Sequence, residues 1–158
     1  MALATKPFLD TSVLLAGLVD VGPASAAAQR AMDAVAEGRI EGACTAWHCC
    51  LEFYAVATRL PPEYRLRPSD ALRLLESEVL ARFDVQQLPA GAWGEFLRAA
   101  ARDASAGGAI YDAHIAEIAY RSGAKTLVTD NRRHFLSLLR YGVRVLTTAE
   151  FVAELRKV

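Results

Sequence analysis

The stretch PFLDTSVLLAGL, residues 7–18, decides the fold that we predict for this chain of 158 residues. Its first residues, Pro7–Leu9, form a short apolar strand that runs into the acid Asp10. The next residues, Thr11–Val19, have the pattern of a helix that a Gly-Pro pair ends. A strand that runs directly into a helix is typical of sheets in which strands and helices alternate along the chain.

The rest of the chain repeats this alternation, which predicts a parallel sheet flanked by helices. No repeat or linker divides it, so we expect one domain over residues 1–158. The predicted strands are Pro7–Leu9, Ile40–Thr45, Phe83–Leu88, Lys125–Thr129 and Val143–Leu146. The predicted helices are Thr11–Val19, Ala24–Glu37, Ala46–Leu60, one that opens at Pro68, Ala92–Ser105, Ile110–Ser122, Arg132–Leu139 and a last one with a capping box at Thr147 and Glu150.

Composition excludes several classes of protein. Hydrophobic residues make up 53% and charged residues 23%, which excludes a disordered chain. No apolar run reaches the ~20 residues of a membrane span, and the first residues do not resemble a secretory signal. The cysteines Cys44, Cys49 and Cys50 contain no CxxC pair, so we expect reduced core thiols in a cytoplasmic protein, not a disulfide framework or a zinc site.

The charges balance, because Lys plus Arg and Asp plus Glu both number 18. A basic field over the whole molecule is therefore absent, and any contact with nucleic acid must use a local patch. One candidate runs from Arg121 to Arg144, where Asp130 is the only acid. This patch is explained equally well by a solvated face and by phosphate binding, for which Arg132 and Arg133 are the candidate contacts.

Four acids interrupt runs that are otherwise apolar: Asp10, Glu52, Asp112 and Asp130. Helix capping alone explains Asp10 or Asp130, and the helix dipole explains Asp112. Glu52 is harder to explain, since no Lys or Arg lies one turn away to pair with it. Because buried carboxylates are costly without a partner, the four together predict one acidic pocket that holds a hard cation, Mg²⁺ or Mn²⁺. Such sites act on phosphates.

These residues resemble the PIN-domain family, and within it the VapC-type toxins of toxin–antitoxin modules. The resemblance lies in FLDTSVL at residues 8–14, in Glu52, in YDAHIA at residues 111–116, and in LVTDN at residues 127–131 with Phe135. It implies a three-layer α/β/α fold with a central parallel sheet, and a ribonuclease that depends on Mg²⁺ or Mn²⁺.

The resemblance also implies roles for individual residues. Asp10 and Asp112 match the principal metal ligands, and Glu52 and Asp130 complete the catalytic pocket. Ser12 and Thr129 match polar residues that support the site, and we place Asn131 with them.

The function that follows is that of an endoribonuclease, the toxin of a type II toxin–antitoxin system. The alternatives are a housekeeping PIN-domain nuclease of RNA processing or decay, and a non-catalytic PIN-like binding module. The expected partners are an RNA substrate, a cognate antitoxin and a second copy in a homodimer, with no membrane. The charged segment Pro61–Arg82 either docks such a partner or is a solvated helix.

Overall fold

The computed structural model describes residues 6–157, which form a five-stranded parallel sheet with helices packed around it. The strands are β1 (Pro7–Leu9), β2 (Cys44–Ala46), β3 (Asp84–Gln86), β4 (Thr126–Val128) and β5 (Arg144–Leu146). The helices are α1 (Thr11–Leu18), α2 (Ala26–Ala36), α3 (Trp47–Ala57), α4 (Pro68–Leu74), α5 (Trp93–Arg102), α6 (Ala109–Arg121) and α7 (Thr148–Leu155). Short 3₁₀ turns at Pro23–Ser25 and Ala90–Ala92 precede α2 and α5, and a longer 3₁₀ segment, Arg132–Tyr141, follows β4.

The strand order is β3-β2-β1-β4-β5, and every neighbouring pair is parallel. Leu9 of β1 lies opposite Val128 of β4, so both strands end at the same level of the sheet. The chain moves outward in opposite directions from β1 and β4, and ligand sites of such sheets lie outside the strand ends at this point. The predicted parallel sheet is therefore confirmed, and its reversal point lies between the strands that precede Asp10 and Asp130.

Helices on both sides of the sheet bury its apolar strands. In one layer α2 contacts both α1 and α7, and in the other α6 contacts both α5 and the 3₁₀ segment. Phe8, Leu9, Leu127 and Val128 are fully buried between the layers. The α/β/α prediction is thus confirmed, and its physical basis is a sheet that is apolar on both faces.

Element boundaries differ from the predicted ones where turn residues intervene. The second strand begins at Cys44 and not at Ile40, because Gly42 turns the chain with a φ of +68°. The predicted helix from Pro68 continues beyond α4 as a π-helical turn, Leu75–Leu80. Together they bury Ala71, Leu75 and Val79 while the charged residues face outward. The predicted capping box is confirmed, since Thr147 and Glu150 bond each other's backbone N–H groups.

The three cysteines are buried and free, as predicted. Burial raises the pKa of the Cys49 thiol to about 12 and that of Cys50 to about 11, so both stay protonated. Within residues 6–157 no helix has the length and apolar character that crossing a membrane requires.

We predict that Gly17→Ala destabilises the fold. A Cβ at this position would lie 2.5 Å from Cγ of Met32 and 2.9 Å from the carbonyl oxygen of Ala28, where α1 crosses α2. The clash should lower the free energy of unfolding by about 1–3 kcal/mol, despite the better helix propensity of Ala. Urea unfolding measures this difference. The control is Gly91→Ala, because no atom lies within 4 Å of its added Cβ. Equal unfolding midpoints for the two variants would contradict the packing described.

Candidate active site

Asp10 is the most enclosed acid of the predicted site. It follows β1 directly, its side chain is only 3% exposed, and its carboxylate caps α1. Oδ1 accepts hydrogen bonds from the backbone N–H of Ser12, at 3.0 Å, and from the Ser12 hydroxyl, at 2.6 Å. Oδ2 accepts a bond of 2.7 Å from the hydroxyl of Thr129, which follows β4. The carboxylate therefore joins the ends of the two central strands.

Ser12 and Thr129 also hold the turn that follows β4. The Ser12 hydroxyl accepts a 3.1 Å bond from the backbone N–H of Asp130. The Thr129 hydroxyl accepts a 3.0 Å bond from the backbone N–H of Asn131. Both predicted supporting residues thus bond Asp10 on one side and the turn on the other. Asn131 contributes to this network through its backbone.

Burial dominates the electrostatics of Asp10. It raises the pKa of the carboxyl group from 3.8 to about 6, although the bonds from Ser12 and Thr129 act in the opposite direction. A carboxylate in this position is ionised at neutral pH only at a cost in free energy. A cation bound beside it would offset that cost.

Glu52 lies on α3, which packs on α1. Its Oε1 is 2.9 Å from Nε2 of His48, one turn earlier on the same helix. The angles are unsuited to a hydrogen bond, so this buried oxygen has no hydrogen-bond partner among the described residues. His48 in turn lies 2.8 Å from His114 of α6, measured between their Nδ1 atoms. A hydrogen bond between two Nδ1 atoms requires that one of the rings is neutral and accepts the bond. Burial lowers the pKa of His114, which favours its neutral form.

The other two acids have partners at the rim. Oδ2 of Asp112, in the first turn of α6, is 3.0 Å from Nδ1 of His134 in the 3₁₀ segment. Oδ1 of Asp130 accepts a 3.1 Å bond from the backbone N–H of Thr148, the first residue of α7. The structure thus places all four acids at the carboxyl ends of the strands or on the helices beside them. Asp112 and Asp130 point to separate neighbours.

The chemistry of the donors fits a hard divalent cation, since all four predicted ligands are carboxylates. Among residues 6–157, however, no three His, Cys, Asp or Glu side chains lie close enough to hold a metal ion as they stand. The buried side-chain atoms without a hydrogen bond in this part of the chain belong to Thr11, Glu52 and Thr148. Thr11 is the residue after Asp10, and Glu52 is itself a predicted ligand. Thr148 is the residue whose backbone N–H donates to Asp130. Buried polar atoms without a partner are uncommon in native proteins, and a catalytic role or a bound ion is among their explanations.

The two candidate phosphate contacts differ in their surroundings. The Arg132 guanidinium donates to the carbonyl oxygen of Val145, at 3.1 and 3.2 Å, and pairs with Glu150. It therefore ties the 3₁₀ segment to β5 and α7, and its phosphate contact stays a prediction. Arg133 is exposed, and its Nε donates to Nε2 of His134 at 3.4 Å.

The histidines are the part of the site that the sequence did not reveal. None of His48, His114 and His134 is among the site residues that the sequence predicts. The structure places each of them against an acid or another histidine of the site. The spacing of His48 and Glu52, four residues apart on a helix, was the one local signal. The contact of His134 with Asp112 joins segments that are distant in the sequence, so no local signal predicts it.

An apolar groove opens beside Glu52 and Asp112, between α3, α5 and α6. Its volume is about 570 Å³. Both tryptophans of the chain line it, as do His48, His114 and Tyr111. No Asp, Glu, Lys or Arg side chain contributes to its walls within residues 6–157. Exposed apolar surface of this extent marks contact with an apolar partner more often than with a phosphate.

Comparisons with known proteins agree with the fold and the resemblance. Two curated relatives come from Mycobacterium tuberculosis. Ribonuclease VapC27 is 36% identical over 142 residues, 89% of this chain and 96% of that protein, and Ribonuclease VapC40 is 32% identical over 123 residues, 78% and 85%. Among solved structures, PAE2754 from Pyrobaculum aerophilum has a TM-score of 0.63 at 23% identity, covering all of both chains. FitAcB from Neisseria gonorrhoeae has a TM-score of 0.57 at 18% identity, covering 90% of this chain and 98% of that chain. At these identities the two structures show the fold alone.

A family model described as "PIN domain" matches residues 6–133, most of the chain. The match covers Asp10, Glu52, Asp112 and Asp130. With more than four fifths of the chain matched and two relatives above 30% identity, the chain belongs to the PIN-domain family.

Proposed function

We propose that this chain is an endoribonuclease that requires a divalent metal ion and acts as the toxin of a type II toxin–antitoxin system. The observation that carries the proposal is the buried carboxylate of Asp10, which lies at the reversal point of a parallel sheet. Membership of the PIN-domain family and the similarity to two proteins named VapC ribonucleases support the activity. PIN-domain ribonucleases generally need a divalent metal, and the all-carboxylate donor set supports Mg²⁺ or Mn²⁺ here.

The acids and the two hydroxyl residues have different roles in this proposal. Asp10, Glu52, Asp112 and Asp130 would hold the ion, and Ser12 and Thr129 would keep the Asp10 oxygens in place. When bound, such an ion lowers the pKa of a water molecule and offsets negative charge on the phosphate in the transition state. Attack by water at phosphorus leaves a 5′-phosphate and a 3′-hydroxyl, and it does not need the 2′-hydroxyl as a nucleophile. His134 and His48 would release Asp112 and Glu52 when these acids turn to the ion.

The proposal includes protein partners and a cytoplasmic location. The apolar groove supports a protein partner, because its lining carries no charge to attract a phosphate. We assign this partner to the cognate antitoxin, on the similarity to the VapC proteins. A homodimer is the commonest closed assembly of a chain of this kind.

We predict that cleavage of single-stranded RNA stops in EDTA and returns with excess Mn²⁺ or Mg²⁺. The reason is that the four carboxylates supply charge and ligands but no group suited to metal-free cleavage. Denaturing gels of a labelled RNA measure the activity. Zn²⁺ and Ca²⁺ serve as control ions, and full cleavage in EDTA by a homogeneous preparation would contradict the metal requirement.

We predict that Asp10→Asn abolishes cleavage but leaves the metal-free chain folded. Asn keeps the size of the side chain and still accepts the helix-capping bond from Ser12, but it loses the charge that attracts the cation. The variant should also fail to arrest growth when it is expressed in cells, whereas the unmodified chain arrests it. Asp20→Asn is the matched control, since Asp20 is exposed and caps a turn through Gly22. Unchanged cleavage by Asp10→Asn would overturn the assignment of this pocket.

The same variant has a predicted pH signature. Folding raises the pKa of Asp10 from 3.8 to about 6, so the folded chain binds this proton more tightly than the unfolded chain does. The resulting stabilisation is complete below pH 3.8 and is lost as the pH rises through 6. Asn resembles the protonated acid, so Asp10→Asn should match the unmodified chain near pH 4 and exceed it near pH 8, by about 1–3 kcal/mol. Urea unfolding in EDTA at both pH values measures this, and a difference that does not change with pH would contradict it.

We predict that the chain alone is a dimer and that the antitoxin joins it. Light scattering should report twice the 17.1 kDa of the chain at micromolar concentration. The product of the adjacent reading frame, expressed with it, should relieve growth arrest and elute in the same complex. A 17.1 kDa species alone would reject the dimer. Growth arrest that no neighbouring gene product relieves would count against the antitoxin.

A further inference from the structure

A furrow runs between α6 and the 3₁₀ segment Arg132–Tyr141, which pack side by side. At one end lies the Asp112–His134 pair of the candidate active site, 3.0 Å apart. At the other end, the rings of Tyr120 and Tyr141 contact each other, with centroids 4.9 Å apart and planes at 45°. The furrow therefore joins the acidic site to an aromatic pair on the surface.

The length of the furrow follows from the two elements that border it, α6 and the 3₁₀ segment. From Asp112 to Tyr120 the helix advances eight residues, about 12 Å at 1.5 Å per residue. In a 3₁₀ helix residues three apart lie on one side, which aligns His134, Ser137 and Arg140 over about 12 Å. A cavity of about 140 Å³ lies between α5, α6 and the 3₁₀ segment, lined among others by Ala100, Ala113 and Ser137. Roughly two to four nucleotides of a single strand span this distance, depending on how far the strand is extended.

The aromatic end is open and carries an unpaired positive charge. Tyr120 is 47% exposed and Tyr141 54%, so part of each side chain is open to solvent. The Arg140 guanidinium lies 5.3 Å from the centre of the Tyr141 ring. It forms no ion pair within residues 6–157. Exposed aromatic rings with an adjacent Arg are the usual elements of surfaces that stack single-stranded bases.

The acids near the furrow are few. Glu117 borders the cavity, but its carboxylate pairs with Nε of Arg121 at 2.7 Å. Asp103 borders it from the end of α5. The free charge of Arg140 therefore lies where the furrow meets the two tyrosine rings, and this is the place where a phosphate would be held.

We propose that this furrow is a subsite for single-stranded RNA, in which one unpaired base stacks on Tyr141 and Tyr120 while Arg140 contacts an adjacent phosphate. The inference rests on the proposed ribonuclease function and adds to it a direction for the substrate, along α6 away from Asp112. It also gives part of the Arg121–Arg144 patch a specific task. Since every base has a flat face to stack, the subsite selects unpaired RNA over duplex RNA without selecting a sequence.

The test compares variants of the full chain that change stacking or charge separately. Tyr141→Leu keeps an apolar side chain but removes the aromatic face, Tyr141→Phe keeps the face, and Arg140→Gln removes the charge. The matched controls are Tyr64→Leu and Arg30→Gln, because both residues are exposed and lie on other elements. Binding of a fluorescein-labelled, mixed-sequence 12-nucleotide RNA is measured by anisotropy in EDTA, and kcat and KM are measured with Mn²⁺.

Tyr141→Leu should raise Kd and KM by about fivefold or more and leave kcat unchanged, because one base loses its stacking partner. Tyr141→Phe should stay within about twofold of the unmodified chain. Arg140→Gln should reduce the slope of log Kd against log salt by about 0.7, the contribution of one phosphate contact. A duplex of the same sequence should bind more weakly than the single strand. The variants should keep the melting temperature of the unmodified chain, so that a change in Kd reports binding and not unfolding.

Two results would overturn the proposal in distinguishable ways. If the unmodified chain cleaves RNA and the Tyr141 and Arg140 variants behave like the controls, the subsite is refuted and the ribonuclease stands. If the unmodified chain neither binds nor cleaves the RNA, the subsite fails together with the proposed function. Should Tyr141→Leu unfold, Arg140→Gln alone decides, and an unchanged salt slope refutes the subsite.

Discussion

The rest of the structure depends on a carboxylate buried at the junction of two parallel strands. Asp10 ends β1, its oxygens accept bonds from Ser12 and Thr129, and those two hydroxyls accept the backbone N–H groups of the turn after β4. One acid thereby fixes the start of α1, the end of β4 and the direction of the next turn. Because this arrangement leaves Asp10 with a raised pKa, the fold is held by a group whose charge it disfavours.

Much of the fold could be predicted, because it has local signatures, whereas the site formed by the four acids stays a prediction. Apolar runs that end at Asp10 and Asp130 indicate buried strands, and Gly and Pro mark most of the turns. The capping box at Thr147 was readable for the same reason. What the sequence did not provide was the π-helical turn after α4, which depends on how Leu75 and Val79 reach the core. Tertiary packing decides such details, and no short window of residues records it.

The partners of the acids are the second part that could not be predicted. Asp112 meets His134, and Asp130 meets the start of α7, across long stretches of chain. Each contact depends on the register of β4 and β5 and on the pitch of the 3₁₀ segment, which are properties of the assembled fold. Asp112 and Asp130 therefore face neighbours that nothing nearby in the sequence indicates.

Zero net charge does not prevent a chain of this design from binding RNA, because its charges are separated in space. Asp10 and Asp130 follow the adjacent strands β1 and β4, where their negative charge would repel a phosphate in the absence of a cation. The unpaired Arg140 lies about 12 Å from His134 along the 3₁₀ segment, close to the exposed tyrosine rings. An RNA strand held at that distance would meet positive charge and aromatic surface first and the acids second. Binding of the strand and neutralisation of the acids thus depend on different residues, and so each can be changed without the other.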